Sequence, residues 1–133
     1  MGELEIDMKL IINTLMNQSQ DTIYFKDRKG AIIFSSKAHS TLWGVENPLD
    51  AIGKTDFDYF PKSFAEIALK DEQDIMATGI PILGRIEKLI KADGKITWIS
   101  ASKYPFYNLE GEIIGTWGTS RDITSLKNTE EEL

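Results

Sequence analysis

The side chains that could perform chemistry are few in this chain, and they are poorly matched to one another. The single histidine, His39, is followed by Ser40, Thr41 and Leu42, which do not form the His-Glu-Leu-Arg pattern of a phosphoacceptor site. With no cysteine and no second histidine, the chain lacks the ligand set of a zinc site. An axial haem ligand remains an alternative, but we expect His39 to be an ordinary, partly exposed histidine and expect no metal site.

Carboxylate pairs offer the other route to catalysis. Asp56 and Asp58, or Asp71 and Asp74, are close enough in sequence to share acid–base work. Because the chain has 21 acidic residues, such pairs arise by chance, and we interpret both as solvated helix faces. There is no Gly-x-Ser-x-Gly elbow and no glycine-rich phosphate loop. The sequence therefore predicts no catalytic residues, which disfavours a small-molecule-metabolising enzyme.

Size and charge limit the remaining classes of function. The 133 residues, 41% of them hydrophobic, suffice for one domain with one core. A net charge of -6 disfavours binding to nucleic acid or to anionic membranes. No apolar run approaches the ~20 residues of a membrane helix. We expect a cytoplasmic domain without direct membrane contact, which leaves open an anchor elsewhere in a longer parent protein.

The N-terminal segment, residues 1–20, has the pattern of an amphipathic helix. Leu4, Met8, Ile11 and Leu15 recur at intervals of four, three and four, the spacing of a coiled-coil seam. This apolar stripe predicts a helix that either packs on the sheet of its own domain or meets its copy in a homodimer.

The rest of the chain alternates between segments with the 3.6-residue spacing of helices and segments with the two-residue alternation of strands. Strands are predicted at 22–26 and 31–35, a short helix capped by Ser36 follows, and a long helix is predicted at 62–78. Period-two patterning then predicts strands at 82–91, 95–104 and 112–123. The order indicates an α+β domain over residues 21–124, with a five-stranded antiparallel sheet and helices on one face. Residues 125–133 begin a C-terminal helix.

The punctuation of these elements resembles that of the PAS domain family. No single landmark is specific to the family. The ordered set is specific: it covers residues 21–124 and ends in Asp-Ile-Thr. The landmarks are the run from Phe25 to Gly30, the run from Ile52 to Asp56 before Phe60-Pro61, Gly79-Ile80-Pro81, Asp93-Gly94 before Trp98, Lys103-Tyr104-Pro105, Gly111-Glu112 and Arg121-Asp122-Ile123-Thr124.

The resemblance implies a non-catalytic sensory domain that controls an attached effector. A histidine kinase in a prokaryotic two-component system is the first expectation, and a diguanylate cyclase or a transcription regulator is the alternative. Members of this family dimerise through an N-terminal helix and transmit through a coiled coil that begins at Asp122, Ile123 and Thr124. After Thr124, a second heptad start is formed by Ile123, Leu126, Glu130 and Leu133.

The resemblance also bears on cofactors. Flavin-binding photosensors of the family carry a reactive cysteine, which this chain lacks, and haem-binding members place a histidine on the long helix, where residues 62–78 have none. We therefore expect neither a flavin adduct nor haem, while an unknown small ligand remains compatible with the pattern.

If the last three strands follow the flavin-binding relatives, alternate residues form the wall of a ligand pocket. Hydrophobicity alone favours the opposite register, with Ile82, Ile86 and Ile90 inside. In the first register, Trp98 and Trp117 face outward and need cover from the N-terminal helix or a partner. The predicted pocket residues are Arg85, Glu87, Leu89, Ile99, Ala101, Lys103, Thr116, Gly118 and Ser120.

Lys103 allows two interpretations. An inward lysine is costly unless it is paired, so a structural ion pair with Glu87 or Asp71 is one prediction. The other is a small anionic ligand held by Lys103 and Arg85, in space left by the small residues Ala101 and Gly118.

Overall fold

The computed structural model of the protein describes residues 7–90 and 93–132. Over that part of the chain, five antiparallel strands form one sheet in the order β2-β1-β5-β4-β3. The fold class predicted from the sequence, α+β with helices on one face of the sheet, is confirmed. The elements are α1 (Met8–Gln18), β1 (Thr22–Asp27), β2 (Ile32–Ser35), α2 (Lys37–Leu42), two 3-10 turns (Pro48–Ala51 and Asp56–Asp58), α3 (Lys62–Thr78), β3 (Ile82–Ile90), β4 (Ile96–Tyr107), β5 (Ile113–Asp122) and α4 (Thr124–Glu132).

β4 runs three residues further than the sequence predicted, through Pro105 to Tyr107. Proline lacks an N–H group, so it is tolerated in a strand only where no partner needs that donor. The pairing of β4 with β3 ends at Lys103, whereas its pairing with β5 continues past Pro105. Pro105 therefore lies where β4 has one free edge.

The register of the last three strands decides which residues face the helices. Leu89, Ile99 and Ala101 are buried in one cluster, against which Leu42 of α2 and Phe64 of α3 pack. Ile86 and Ile90 are each 50% exposed on the opposite face, so the register that hydrophobicity alone favours is wrong for them. The helix-covered face is the one that carries the predicted pocket residues.

α1 does not cover the outer face of the sheet. It packs beside α2, and its stripe residues Met8, Ile11 and Leu15 are exposed in the single chain. Leu4, the first residue of the predicted seam, lies outside the described residues, as does Leu133. The outer face instead carries an aromatic cluster in which Trp117 stacks on Tyr104 with ring centroids 4.3 Å apart.

None of the described helices combines the length and the hydropathy that crossing a membrane requires.

Candidate ligand site

A cavity of about 50 Å³ lies between the sheet and the helices. Space for one water needs ~10–15 Å³ by this measure, so the cavity holds about four waters or a molecule of similar size. The sheet contributes its floor through alternate residues of β1, β3, β4 and β5, and α2, α3 and the loop between them contribute the opposite wall.

The wall on the helix side is aromatic. His39 lies between Tyr24 of β1 and Trp43 at the end of α2, with ring centroids 5.0 and 4.7 Å away. Trp43 meets Phe60 edge-on at 5.8 Å, and Phe60 contacts Phe64 at 4.9 Å. These rings are tilted or edge-on to one another and form a packed aromatic wall, which favours contact with an apolar or planar group.

The floor contains a buried ion cluster. The Lys26 ammonium group lies 2.6 Å from both Asp56 and Glu72, and Lys26 is 3% exposed. Burial alone would lower the pKa of Lys26, but the two carboxylates together raise it above its ordinary value, so Lys26 stays charged. Burial raises the pKa of Glu72 despite the neighbouring ammonium group. The cluster therefore joins β1 in the floor to the second 3-10 turn and α3 in the opposite wall.

Lys103 belongs to a second ion cluster. Its ammonium group lies 3.3 Å from Asp71 and 3.5 Å from Glu87, and the guanidinium of Arg85 bonds both carboxylates. Burial would raise the pKa of Asp71, but the hydrogen bonds from Arg85 and the charge of Lys103 hold it below its ordinary value. In the structure, Lys103 is therefore part of an ion pair, as the first interpretation predicted. Lys103 and Arg85 both already have carboxylate partners, so neither is left for an anionic ligand.

Six of the nine predicted pocket residues line the cavity, and three do not. Arg85 is not part of the lining: its guanidinium pairs with Asp71 and Glu87, and its side chain is 38% exposed. Thr116 is buried, but its hydroxyl has no partner among the described residues. A Cβ atom at Gly118 would lie 2.5 Å from the hydroxyl of Tyr24, so the space that we expected Gly118 to leave for a ligand is filled by that phenol. The six that line it are Glu87, Leu89, Ile99, Ala101, Lys103 and Ser120.

His39 is not the partly exposed histidine that the sequence suggested. It is buried, and its Nδ1 atom is 2.8 Å from the Ser35 hydroxyl. Burial and the nearby Lys26 charge lower its pKa to about 3, so the imidazole is neutral at physiological pH. Ser36 caps α2 by accepting a hydrogen bond from the His39 amide, while the ring itself is held by its contact with the Ser35 hydroxyl.

In each of the two carboxylate pairs, one residue takes part in an ion cluster of the site and the other is exposed. Asp56 is buried against Lys26, and Asp71 is bonded to Arg85, so neither lies on the solvated face that we predicted. Asp58 and Asp74 are exposed, as expected for such a face. Among the described residues, no group of three His, Cys, Asp or Glu side chains could hold a metal ion.

Several residues of the site were missed by the sequence reasoning although a signal existed. Tyr24 and Lys26 follow Thr22 at intervals of two on β1, so the alternation applied to the other strands would have placed them inward. Glu72 shares the buried face of α3 with Ala65, Ala68 and Ile75, at helical spacing. The other lining residues that were missed are Thr22, His39, Leu42, Trp43, Asp56, Phe60, Phe64, Ala68 and Thr119.

The predicted relay residues form a hydrogen-bonded joint at the start of α4. The Asp122 carboxylate accepts a hydrogen bond from the Thr124 amide at 2.8 Å. The Thr124 hydroxyl accepts from the Trp98 amide at 3.0 Å, and the Ile123 amide donates to the Trp98 carbonyl at 2.9 Å. The two bonds to Trp98 attach Ile123, just before α4, and Thr124, its first residue, to β4.

A five-stranded antiparallel sheet with helices and a small cavity on one face, continued by a helix that is hydrogen-bonded to β4, defines a class of small α+β domains. The family model described as PAS fold matches residues 16–128, and the chain belongs to that family of sensory domains.

The chain is also similar to individual proteins. It is 26% identical over 120 residues to a diguanylate cyclase of Vibrio cholerae, covering 90% of this chain and 37% of that protein. A structure of the Vibrio cholerae VqmA dimer superposes with a TM-score of 0.79 at 22% identity, covering 92% of this chain and 53% of VqmA. VqmA bound to DPO superposes with a TM-score of 0.76 at 23% identity, covering 85% of this chain and 57% of that chain. A PAS domain of a Colwellia psychrerythraea protein superposes with a TM-score of 0.71 at 24% identity, covering 90% of this chain and 99% of that domain. The chain thus spans about half of VqmA and about a third of the cyclase.

Proposed function

We propose that this domain is a non-catalytic input domain that binds a small molecule in the cavity and relays its presence through α4 to an effector domain of the same parent protein. The observation that carries the proposal is the cavity itself, which has an aromatic wall facing a polar, ion-paired floor. Ligand sites combine apolar walls with a few placed polar groups in this way. The relay is supported by the joint of Asp122, Ile123 and Thr124 that ties α4 to β4.

The ligand we propose is small, planar and uncharged. Lys26 and Lys103 both have carboxylate partners within the protein, so an anion would have to displace Glu87 or Glu72 from them. That exchange argues against the anionic ligand that the sequence allowed. The relative VqmA has been solved bound to DPO, which supports a ligand-binding role for this domain. We also propose that neither flavin nor haem binds, because the chain has no cysteine, α3 has no histidine and the cavity is far smaller than either group.

The effector we propose is a diguanylate cyclase, because a protein with that activity matches 90% of this chain. The histidine kinase expected from the sequence becomes the second candidate, beside a transcription regulator, for which the DNA-binding relative VqmA argues. We further propose that the domain is cytoplasmic, that it forms a homodimer through α1 and that it makes no nucleic-acid contact of its own, in keeping with its charge of -6.

Native mass spectrometry of the purified domain tests the proposal. We expect the wild type to retain a small molecule that is released on denaturation, and the variant Ala101→Leu, which fills the cavity, to lose it. Ile86→Leu, on the outer face of β3, is the matched control and should retain it. If the wild type carries nothing and Ala101→Leu leaves effector output in the parent protein unchanged, the domain is a dimerising relay without a ligand.

A further inference from the structure

A groove of about 460 Å³ adjoins the cavity on the side of α2. Four residues line both spaces, namely Thr22, Leu42, Ile99 and Ser120. The groove therefore lies directly beside the cavity and is separated from it by these four residues. The inference below rests on the proposed small-molecule function.

Leu42 is the movable part of that wall. Thr22 and Ser120 are held by the pairing of β1 with β5 and by a hydrogen bond between their hydroxyl groups. Ile99 is paired on both sides, with Glu87 of β3 and with Asp122 of β5. Leu42 is the last residue of α2, is only half-buried, and packs its apolar side chain on Leu89, Ile99 and Ala101. A change of its side-chain rotamer breaks no hydrogen bond, so opening at Leu42 is the least costly way in.

The groove also has binding chemistry of its own. Lys37, Lys95, Thr41 and Thr97 are among its lining residues, and the Thr41 hydroxyl, which donates to the Lys37 carbonyl, can still accept a hydrogen bond. It reaches Asp122, the residue that caps the start of α4. A group lying in the groove would therefore contact both the cavity entrance and the relay joint.

We propose that the ligand enters and leaves the cavity past Leu42, and that the groove is an outer subsite for a hydrogen-bonding extension of the ligand. In this arrangement, the cavity holds a planar head of about four or five heavy atoms. The extension lies among the ammonium and hydroxyl groups of the groove. The ligand class is thus a compact planar head with a polar, acceptor-rich tail.

The other possible opening is too small. A space of about 20 Å³ on the far side shares Asp56 and Glu72 with the cavity and has Leu69 in its wall. It holds about one water, which suits solvent exchange at the ion cluster but not passage of a ligand.

Cysteine accessibility tests the route without knowledge of the ligand. The chain has no cysteine, so Ala101→Cys places a single thiol in the cavity wall. Methyl methanethiosulfonate is the probe: the thiolate attacks its sulfenyl sulfur, a methyl disulfide forms, and methanesulfinate leaves. The rate of modification, followed by intact mass, reports entry.

In the Ala101→Cys background, Leu42→Ala should raise the modification rate roughly tenfold, and Ala38→Trp, which fills the groove without touching the cavity, should lower it by a similar factor. Phe64→Leu is the matched control, because Phe64 packs on the same apolar cluster and lines the cavity but not the groove. Leu69→Ala controls for the opposite opening.

The route is overturned if Phe64→Leu or Leu69→Ala accelerates modification as much as Leu42→Ala does, because access then follows unfolding or the opposite opening. It is equally overturned if Ala38→Trp leaves the rate unchanged, a result that holds even if Leu42→Ala fails to fold. Either failure leaves ligand retention in native mass spectrometry intact. A route that is confirmed in a domain that retains no ligand would instead contradict the proposed function.

The outer subsite has its own arm. In native mass spectrometry, Thr41→Val combined with Thr97→Val should weaken retention of the co-purified molecule in domain that otherwise folds normally. Retention equal to that of the wild type would show that the ligand lies in the cavity alone.

Discussion

The ammonium nitrogen of Lys26 lies 2.6 Å from a carboxylate oxygen of Glu72, and both side chains are 3% exposed. This pair connects the central part of the sheet to the long helix across the floor of the cavity. A buried ion pair contributes little net stability compared with apolar residues of the same shape, but removal of one partner leaves an unpaired charge in a poor solvent. The pair therefore makes the cavity floor sensitive to single substitutions.

Lys26→Met should destabilise the domain by about 3–5 kcal/mol, because Asp56 and Glu72 would remain buried without their cation. Urea denaturation monitored by circular dichroism measures the change. Lys70→Met is the matched control, since Lys70 makes an equally short but exposed pair with Asp74 and should cost less than about 1 kcal/mol. Equal effects of the two substitutions would contradict the burial of the Lys26 cluster.

The buried imidazole predicts a pH dependence. The pKa of His39 falls from an ordinary value of 6.5 to about 3 on folding, so the unfolded chain binds one more proton between these pH values. Stability therefore falls as the pH is lowered, by about 2 kcal/mol between pH 7 and pH 5. Urea midpoints at several pH values test this.

His39→Gln provides the control for that experiment, because glutamine keeps a polar group near Ser35 but does not titrate. The variant should lose most of the pH slope between pH 5 and 7. A slope identical to that of the wild type would assign the effect to other groups.

The exposed stripe of α1 predicts self-association. Ile11→Asp should shift the domain from dimer to monomer in sedimentation and leave its circular dichroism largely unchanged, because Ile11 is 43% exposed in the single chain. Asn13→Asp adds the same charge on the side of α1 that faces Phe34 and should not change the assembly. A wild type that sediments as a monomer at high concentration would rule out this interface.

The proposed relay role of Asp122 predicts that a substitution there changes the free energy of unfolding only slightly but disrupts regulation of the effector. Asp122→Ala removes the hydrogen bond to the Thr124 amide and should cost about 1 kcal/mol, yet it should uncouple the effector in the parent protein. Asp21→Ala, which removes a neighbouring carboxylate paired with Arg121 outside the joint, should leave coupling intact. Effector activity of both variants, with and without stimulus, provides the measurement. A normally regulated Asp122→Ala protein would refute the relay.

Much of the fold could be predicted because the signals are local. The bounds of α3 at Lys62 and Thr78 follow from Pro61 before it and from Gly79 after it, which takes a positive φ of 72° and ends the helix. The strands are visible from alternation, and the inward face of β3, β4 and β5 follows once the register is chosen.

The interior chemistry could not be predicted in the same way, because it depends on contacts between distant residues. Lys26 is buried only because Asp56 and Glu72, 30 and 46 residues further on, meet its ammonium group. Gly118 indicates open space, but only the pairing of β1 with β5 shows that Tyr24 lies opposite and fills it.

The attachment of α4 to Trp98 connects the start of this helix to two neighbouring strands, β4 and β5. The chain enters α4 from β5, but the first residues of the helix are hydrogen-bonded to β4, the neighbouring strand. A rigid shift of the whole sheet would carry the helix along unchanged, whereas sliding of β5 against β4 would pull the base of the helix in two directions. We therefore expect the direction of α4 to change when β5 shifts relative to β4, and to stay unchanged when the two strands move together.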